Sequence, residues 1–262
     1  MITKRAARWS KLALLTSGVL ALAGATITPG YAATETDIYA MNGLATDPST
    51  PRLLDVAIDG ETVAPKVMPG VVLGPFKGKP GSKVTFMENG AIIGVTTIKT
   101  KAPSKAFVVE HLLADLESDP VAEEFTVKTV KVPSGKAWLQ FSNVAATSPL
   151  DFRVKDQVLF ENIRNGEISS PGLQVTAATY KVSLTLTTQT QPVLCCRDDL
   201  TLGGGKITVV FAFGNPATNT MNIAVGQLDA GMSGSEMPAE VNTGTGGQAI
   251  GDGPSLDVNL AR

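Results

Sequence analysis

One pattern occurs twice in this sequence and constrains its fold more than any other feature. The stretch "LDVAIDG" at Leu54–Gly60 is matched by "LDFRVKD" at Leu150–Asp156, and apolar and polar residues alternate in both. Such alternation predicts a half-buried β-strand. The positions that match at one constant spacing are Asp55 with Asp151, Ile58 with Val154, Val67 with Ile163 and Gly70 with Gly166. The sequence therefore predicts two copies of one strand-rich domain.

Further stretches extend the same pattern. "FTVKTVKV" from Phe125 and "YKVSLTLT" from Tyr180 alternate, and "KAFVVEH" from Lys105 matches "KITVVFA" from Lys206. Turn residues separate the strands, and only "AFVVEHLLADLES" hints at a helical turn, with a strand running into an acidic loop as the alternative. Many short strands at regular spacing predict an all-β sandwich fold.

The chain divides into four predicted segments. Residues 1–32 read as a signal peptide, because a basic leader precedes a short apolar run and cleavage is expected after Ala32. Residues 35–132 and 136–230 are the two predicted sandwiches, and each is expected to fold alone. The glycine-rich residues 231–262 offer little to bury, which predicts a flexible tail without the apolar span of a wall-sorting signal.

The net charge of the chain limits the classes of partner that it is expected to bind. The whole sequence has a formal net charge of −2, and removing the leader with its four basic residues leaves 18 basic and 24 acidic residues. This sign argues against nucleic acid and anionic membrane surfaces as partners. We expect a secreted or wall-associated protein with no stable membrane span after cleavage, which meets a protein or glycan at the cell surface.

A resemblance to a known family rests on the second copy. "SNVAATSPLDFRVKDQ" and the later "AATYKVSL" resemble the bacterial exported domain-of-unknown-function family four-three-nine-seven, with Asp151 and Tyr180 on family positions. Asn143 stands where the family usually has His, and the first copy has Lys83 or Val84 near the tyrosine position. The resemblance implies tandem immunoglobulin-like sandwiches and export, and it carries no agreed activity.

The two repeated aspartates have a structural interpretation. Asp55 and Asp151 occupy equivalent places in separate domains, so nothing predicts that they meet in one metal or acid–base site. An Asp at a strand start commonly fixes a loop by accepting hydrogen bonds from backbone N–H groups. We predict that role for both, and we read Gly70 and Gly166 as repeated structural positions.

Other residue patterns do not assemble a site. His111 is the only histidine, and the nearest nucleophile motif, "GMSGS" from Gly231, lacks its final glycine. The "GGGKIT" stretch from Gly203 reads as a hairpin turn, and the acidic stretches at residues 117–124 and 197–200 leave only calcium open. We therefore predict no catalytic residue, no cofactor and no metal ligand.

The adjacent Cys195 and Cys196 leave two readings open. Neighbouring Cα atoms lie closer than a disulfide prefers, so a vicinal bridge needs a distorted backbone, and the alternative is two reduced thiols. The leading hypothesis is a non-catalytic exported protein with a binding or structural role. Its rivals are a hydrolase with an atypical site around His111 and a redox-responsive protein that uses the two cysteines.

Overall fold

The computed structural model describes residues 34–47, 49–115, 118–155 and 157–230, without the side chains of residues 195–199. This part of the chain is built of β-strands, and its one helical element is a short 3-10 helix at Pro216–Thr218. The described residues all belong to one compact unit. The predicted signal peptide and the predicted tail lie outside the described residues. The all-β prediction is confirmed.

Eight strands form the first sandwich. They are β1 (Thr36–Asn42), β2 (Leu54–Ile58), β3 (Glu61–Val67), β4 (Val72–Gly78), β5 (Lys83–Glu88), β6 (Ala91–Thr97), β7 (Lys105–His111) and β8 (Val121–Val127). Sheet A has the order β4-β1-β7-β8 and sheet B the order β3-β2-β5-β6. Strand β1 is parallel to β7, whereas the other pairs are antiparallel. Apolar side chains of both sheets, such as Ile38 and Phe86, pack between them.

The second sandwich repeats this arrangement. Its strands are β9 (Lys136–Asn143), β10 (Leu150–Val154), β11 (Gln157–Ile163), β12 (Glu167–Ile168), β13 (Leu173–Thr176), β14 (Thr179–Leu186), β15 (Pro192–Thr201), β16 (Lys206–Phe213) and β17 (Asn222–Asp229). Sheet C has the order β12-β9-β16-β17, with β13 also paired to β9, and sheet D the order β11-β10-β14-β15. Strand β9 is again parallel to β16. The tandem-sandwich prediction is confirmed.

Strand register fixes which residues of the two copies are equivalent. Val56 pairs with Phe86 and Phe152 with Leu184, so Phe86 and Leu184 correspond. The spacing between equivalent residues of the two copies is thus two residues longer after the β4 region. Ser82 is therefore the equivalent of Tyr180 in the first copy. The sequence-based alignment of Tyr180 with Lys83 or Val84 was off by one or two positions because loops absorb such insertions.

Tyr180 forms a corner typical of immunoglobulin-like sandwiches. Its ring is buried, with 1% of its surface exposed. Its hydroxyl donates a hydrogen bond to the carbonyl of Thr176, four residues upstream, at 2.8 Å. A tyrosine that bonds back to nearby upstream backbone is a known feature of that class. In the first copy the smaller Ser82 is also buried at this position.

A third apolar layer joins the two sandwiches. Phe107 and Phe125 of sheet A face Phe211 of sheet C, with ring centroids 5.4 and 6.0 Å apart. This shared layer also contains Met41, Val109, Val127, Ile207, Val209, Phe213, Ala224 and Leu228, and Val130 and Val132 of the linker pack against it. The sheets therefore stack in the order B, A, C, D. The boundaries at 35–132 and 136–230 stay predictions.

The predicted strand from Phe125 to Val132 was wrong in its bounds. Strand β8 begins earlier, at Val121, and ends at Val127. Val121 to Glu124 of the predicted acidic loop therefore pair with β7, as shown by Val109 opposite Glu123. Beyond Val127 the chain leaves the sheet edge because Val130 and Val132 reach the shared layer without ladder hydrogen bonds. The helical alternative near His111 is replaced by strand β7 followed by a turn.

Candidate functional site

The repeated aspartates hold the same hairpin in both sandwiches. An Asp55 oxygen accepts a hydrogen bond from the backbone N–H of Lys66 at 2.8 Å, and an Asp151 oxygen accepts one from Asn162 at 2.9 Å. Lys66 and Asn162 both have positive φ angles, 52° and 57°. Because such a backbone is uncommon outside glycine, each carboxylate stabilises a strained position in the strand after it.

Buried asparagines complete the repeated framework at the end of β1 and of β9. The side-chain amide of Asn42 donates to the carbonyl of Val67 at 2.9 Å, and that of Asn143 donates to Ile163 at 3.0 Å. Gly70 and Gly166 donate their N–H groups to the carbonyls of these asparagines at 2.7 and 2.8 Å, and both have φ +79°. Glycine is favoured there because other side chains rarely adopt that angle.

Replacing these aspartates should reveal a structural effect. Asp151 is 4% exposed and also accepts from the hydroxyl of Thr187 at 2.7 Å. We expect Asp151→Ala to lower the free energy of unfolding by about 1–3 kcal/mol, since buried donors lose their acceptor. Asp55→Ala should cost less because Asp55 is more exposed. Urea unfolding of both variants measures the difference.

A calcium titration is the control for that prediction. We expect the melting temperature of the wild-type chain to be unchanged by added calcium. A melting temperature that rises with calcium in the wild type but not in Asp151→Ala would contradict the loop-anchoring role of this carboxylate.

His111 lies at the end of β7 on the side of the shared layer. Its side chain is fully buried, with Nδ1 at 3.0 Å from the carbonyl of Leu112 and Nε2 at 3.2 Å from Glu123 Oε2. Asn165 of the second sandwich donates to the same Leu112 carbonyl at 3.1 Å. A Cβ on Gly166 would lie 2.8 Å from Glu123 Oε2. Both ring nitrogens of His111 therefore take part in the seam between the sandwiches.

The acidic stretch at residues 117–124 and the two cysteines were the other candidate sites of the sequence analysis. Glu124, the last residue of the acidic stretch at residues 117–124, accepts hydrogen bonds from the N–H groups of Lys99 and Thr100 at 2.8 Å. Among the described residues no group of three His, Cys, Asp or Glu is arranged to hold a metal ion. The side chains of Cys195 and Cys196 lie outside the described part. The register of β15 shifts between Leu194 and Arg197, and the bridged and the reduced state of the two cysteines both stay predictions.

A buried carboxyl that the sequence analysis missed lies inside the first sandwich. Glu110 of β7 is 0% exposed, and neither of its carboxyl oxygens has a hydrogen-bond partner in the described part of the chain. It lies on the same face of β7 as Ala106 and Val108, toward the core between sheets A and B. Gly94 of β6 lies against it, because a Cβ built there would overlap the carboxyl group.

Burial determines the protonation of Glu110. Removing the carboxyl from water raises its pKa from 4.5 to about 8, while the charge of Arg52 acts in the opposite direction. Arg52 is held by Glu88, with Nε to Oε1 at 2.8 Å and Nη2 to Oε2 at 2.6 Å. Glu110 is therefore neutral at pH 7, and as an unpaired buried polar group it destabilises the fold.

The second sandwich shows that the fold does not require this carboxyl. Asn42 pairs with Glu110 and Asn143 with Ala212, so Ala212 is the equivalent of Glu110. Phe86 pairs with Gly94 and Leu184 with Leu194, so Leu194 is the equivalent of Gly94. One copy thus places Glu against Gly where the other has Ala and Leu, both packed in its core.

The two sandwiches also differ at one loop tip. Leu53, Met68 and Val71 of the first sandwich are 40%, 53% and 39% exposed. They are neighbours, because Leu54 pairs with Val67 and the Val71 N–H bonds the Met68 carbonyl at 3.2 Å. At the repeat spacing their equivalents are Pro149, Arg164 and Glu167. We call these three exposed residues of the first sandwich the apolar tip.

No family model matches the chain, and no curated protein matches it. The resemblance to the exported family therefore stays a prediction. No helix among the described residues is long and apolar enough to cross a membrane.

Proposed function

We propose that this chain is a non-catalytic exported protein of the cell envelope, in which the tandem sandwiches form a scaffold and the apolar tip binds a surface protein. The observation that carries the proposal is the difference between the copies at that tip. The second sandwich forms the same β2–β3 type hairpin with Pro149, Arg164 and Glu167. Apolar residues are thus unnecessary for the hairpin, and grouped exposed apolar residues mark interaction sites.

The composition of the apolar tip favours a protein partner over a glycan. Leucine, methionine and valine bury well against apolar side chains, and methionine adapts to irregular partner surfaces. The tip carries no aromatic ring on which a sugar would stack. The neighbouring Arg52 and Glu88 neutralise each other, so this pair adds no net charge beside the tip.

Transplanting the second copy's residues tests the proposal. We expect the mature chain, from Ala33, to bind one or more proteins on an array of bacterial surface proteins and glycans. Met68→Arg with Val71→Glu should weaken that binding at least tenfold, since two exposed apolar contacts are lost. The melting temperature should be unchanged because both side chains are solvent-exposed.

The reciprocal variant is the matched control. Arg164→Met with Glu167→Val changes the same positions of the second sandwich and should not reduce binding below the wild-type level, because the apolar tip is intact. Binding that survives Met68→Arg with Val71→Glu, or binding only to glycans, would contradict the assignment of this tip. A reaction product formed by the mature chain and lost in His111→Ala would instead favour the hydrolase alternative.

A further inference from the structure

The strongest unexplained feature of the molecule is the Glu110–Gly94 pair. A fully buried carboxyl with no hydrogen-bond partner costs stability, and the second sandwich forms the same two sheets with Ala212 and Leu194. The pair therefore does not serve the fold. Its two residues also lie on different sheets, β7 in sheet A and β6 in sheet B, so a change at the carboxyl acts directly on the contact between the sheets.

We propose that Glu110 makes the first sandwich a proton-dependent module, whose sheets pack closely over the neutral carboxyl and separate at β6 and β7 when it loses its proton. The proposal does not depend on the apolar tip or on a binding partner. It rests on the burial of the carboxyl, its lack of partners and the close approach of Gly94. The raised pKa of Glu110 agrees with this geometry.

The charged groups around Glu110 are bound to other partners and do not neutralise its carboxylate when the proton is lost. Strand β6 has no titratable residue over Ala91–Thr97. On the same face of β8, Glu124 is bound by the N–H groups of Lys99 and Thr100. Within the described part of the chain, Arg52 is the one cation whose charge acts on Glu110, and it is already bound to Glu88.

Three further ionisable groups lie near the same strands but point away from Glu110. Asp55 of β2 is bonded to the Lys66 N–H, and Asp37 of β1 is paired with Lys105 of β7 and with Lys77. His111 of β7 lies on the opposite face, against Glu123. Among the described residues, an ionised Glu110 therefore has no counter-charge other than Arg52, which is bound to Glu88.

The direction of the pH effect follows from the two pKa values. In the open state the carboxyl ionises near 4.5, and in the closed state only near 8. Opening therefore releases a proton between these values, and closure weakens as pH rises from about 4.5 to 8. The opening constant should grow about tenfold per pH unit across this window.

Hydrogen exchange of the mature chain tests the proposal. We expect the protection of amides in β6 and β7 in the wild type to fall about tenfold per pH unit from pH 5 to 8, after correction for the intrinsic rate. Glu110→Gln keeps the shape of the side chain without its titration and should remove this dependence. Glu161→Gln, which changes an exposed carboxylate of β11, should behave as the wild type does.

A double variant keeps the test decisive if Glu110→Gln fails to fold. Glu110→Ala with Gly94→Leu installs the residues of the second sandwich and should give a stable chain whose β6 and β7 protection is independent of pH. The wild type, unlike the two Glu110 variants, should show an infrared band of a protonated carboxyl at neutral pH that disappears with a midpoint near pH 8. Equal pH slopes in the wild type and in the two Glu110 variants, or no such band in the wild type, would overturn the proposal.

Discussion

Phe211→Ala is expected to lower the free energy of unfolding by about 3–5 kcal/mol, although Phe211 points away from the core of its own sandwich. Its ring is fully buried and packs against Phe107 and Phe125 of the other sandwich. Truncation leaves a cavity between sheets A and C that two flat β-surfaces cannot easily close. Urea unfolding, followed by circular dichroism and tryptophan fluorescence, measures the loss.

Phe141→Ala is the matched control for this prediction. Phe141 belongs to the internal core of the second sandwich, with its ring 5.0 Å from that of Phe152. We expect the two variants to lose similar amounts of stability and the wild type to unfold in one transition. Two separate transitions that Phe211→Ala leaves unchanged would show that the sandwiches merely touch and that the shared layer is not a core.

The isolated first sandwich, residues 35–132, is expected to self-associate. On its own it exposes Met41, Phe107, Val109 and Phe125, which are all buried in the full chain. A contiguous exposed apolar face of this kind favours association with another surface. We expect this face to bind the same face of a second copy of residues 35–132. In the full chain the shared layer already joins two equivalent faces, as in an isologous dimer. Analytical ultracentrifugation of the half, beside its circular dichroism spectrum, checks this outcome.

A charged substitution in the shared layer distinguishes self-association of the isolated half from misfolding. Phe107→Asp in residues 35–132 should make the half monomeric while its strand spectrum is retained, because the side chain lies on the exposed layer and not between sheets A and B. A wild-type half that is monomeric at all accessible concentrations would contradict the prediction. A half that is disordered in both forms would show that the shared layer is needed for folding.

The sequence predicted the repeated framework because its signals are local. Alternation identified β2 and β10, and Asp55 and Asp151 each bond a backbone N–H within their own hairpin. Gly70 and Gly166 instead bond the carbonyls of Asn42 and Asn143 at the ends of β1 and β9. The interpretation of both aspartates as loop anchors agrees with these bonds. The alignment of the two copies beyond an insertion does not follow from local patterns. For this reason the sequence analysis misplaced the first-copy equivalent of Tyr180.

The shared layer and Glu110 were missed for a different reason. "ITVVFAF" of β16 is apolar on both faces, and such a strand is covered on both sides, but its second cover comes from a distant part of the chain. Alternation also places Glu110 on the inward face of β7, with Ala106 and Val108. Its significance emerges only when Ala212 is recognised as its equivalent, which requires the pairing of β9 with β16.

The shared layer couples the side-chain sizes of the two copies. Phe107 pairs with Phe125 and Val209 with Gly226, so Gly226 is the counterpart of Phe125. A Cβ on Gly226 would lie 2.6 Å from the ring of Phe107. The large side chain of one copy therefore occupies the space that the other copy leaves empty. A larger residue at position 226 is therefore compatible with this layer only if the side chain at position 107 becomes smaller.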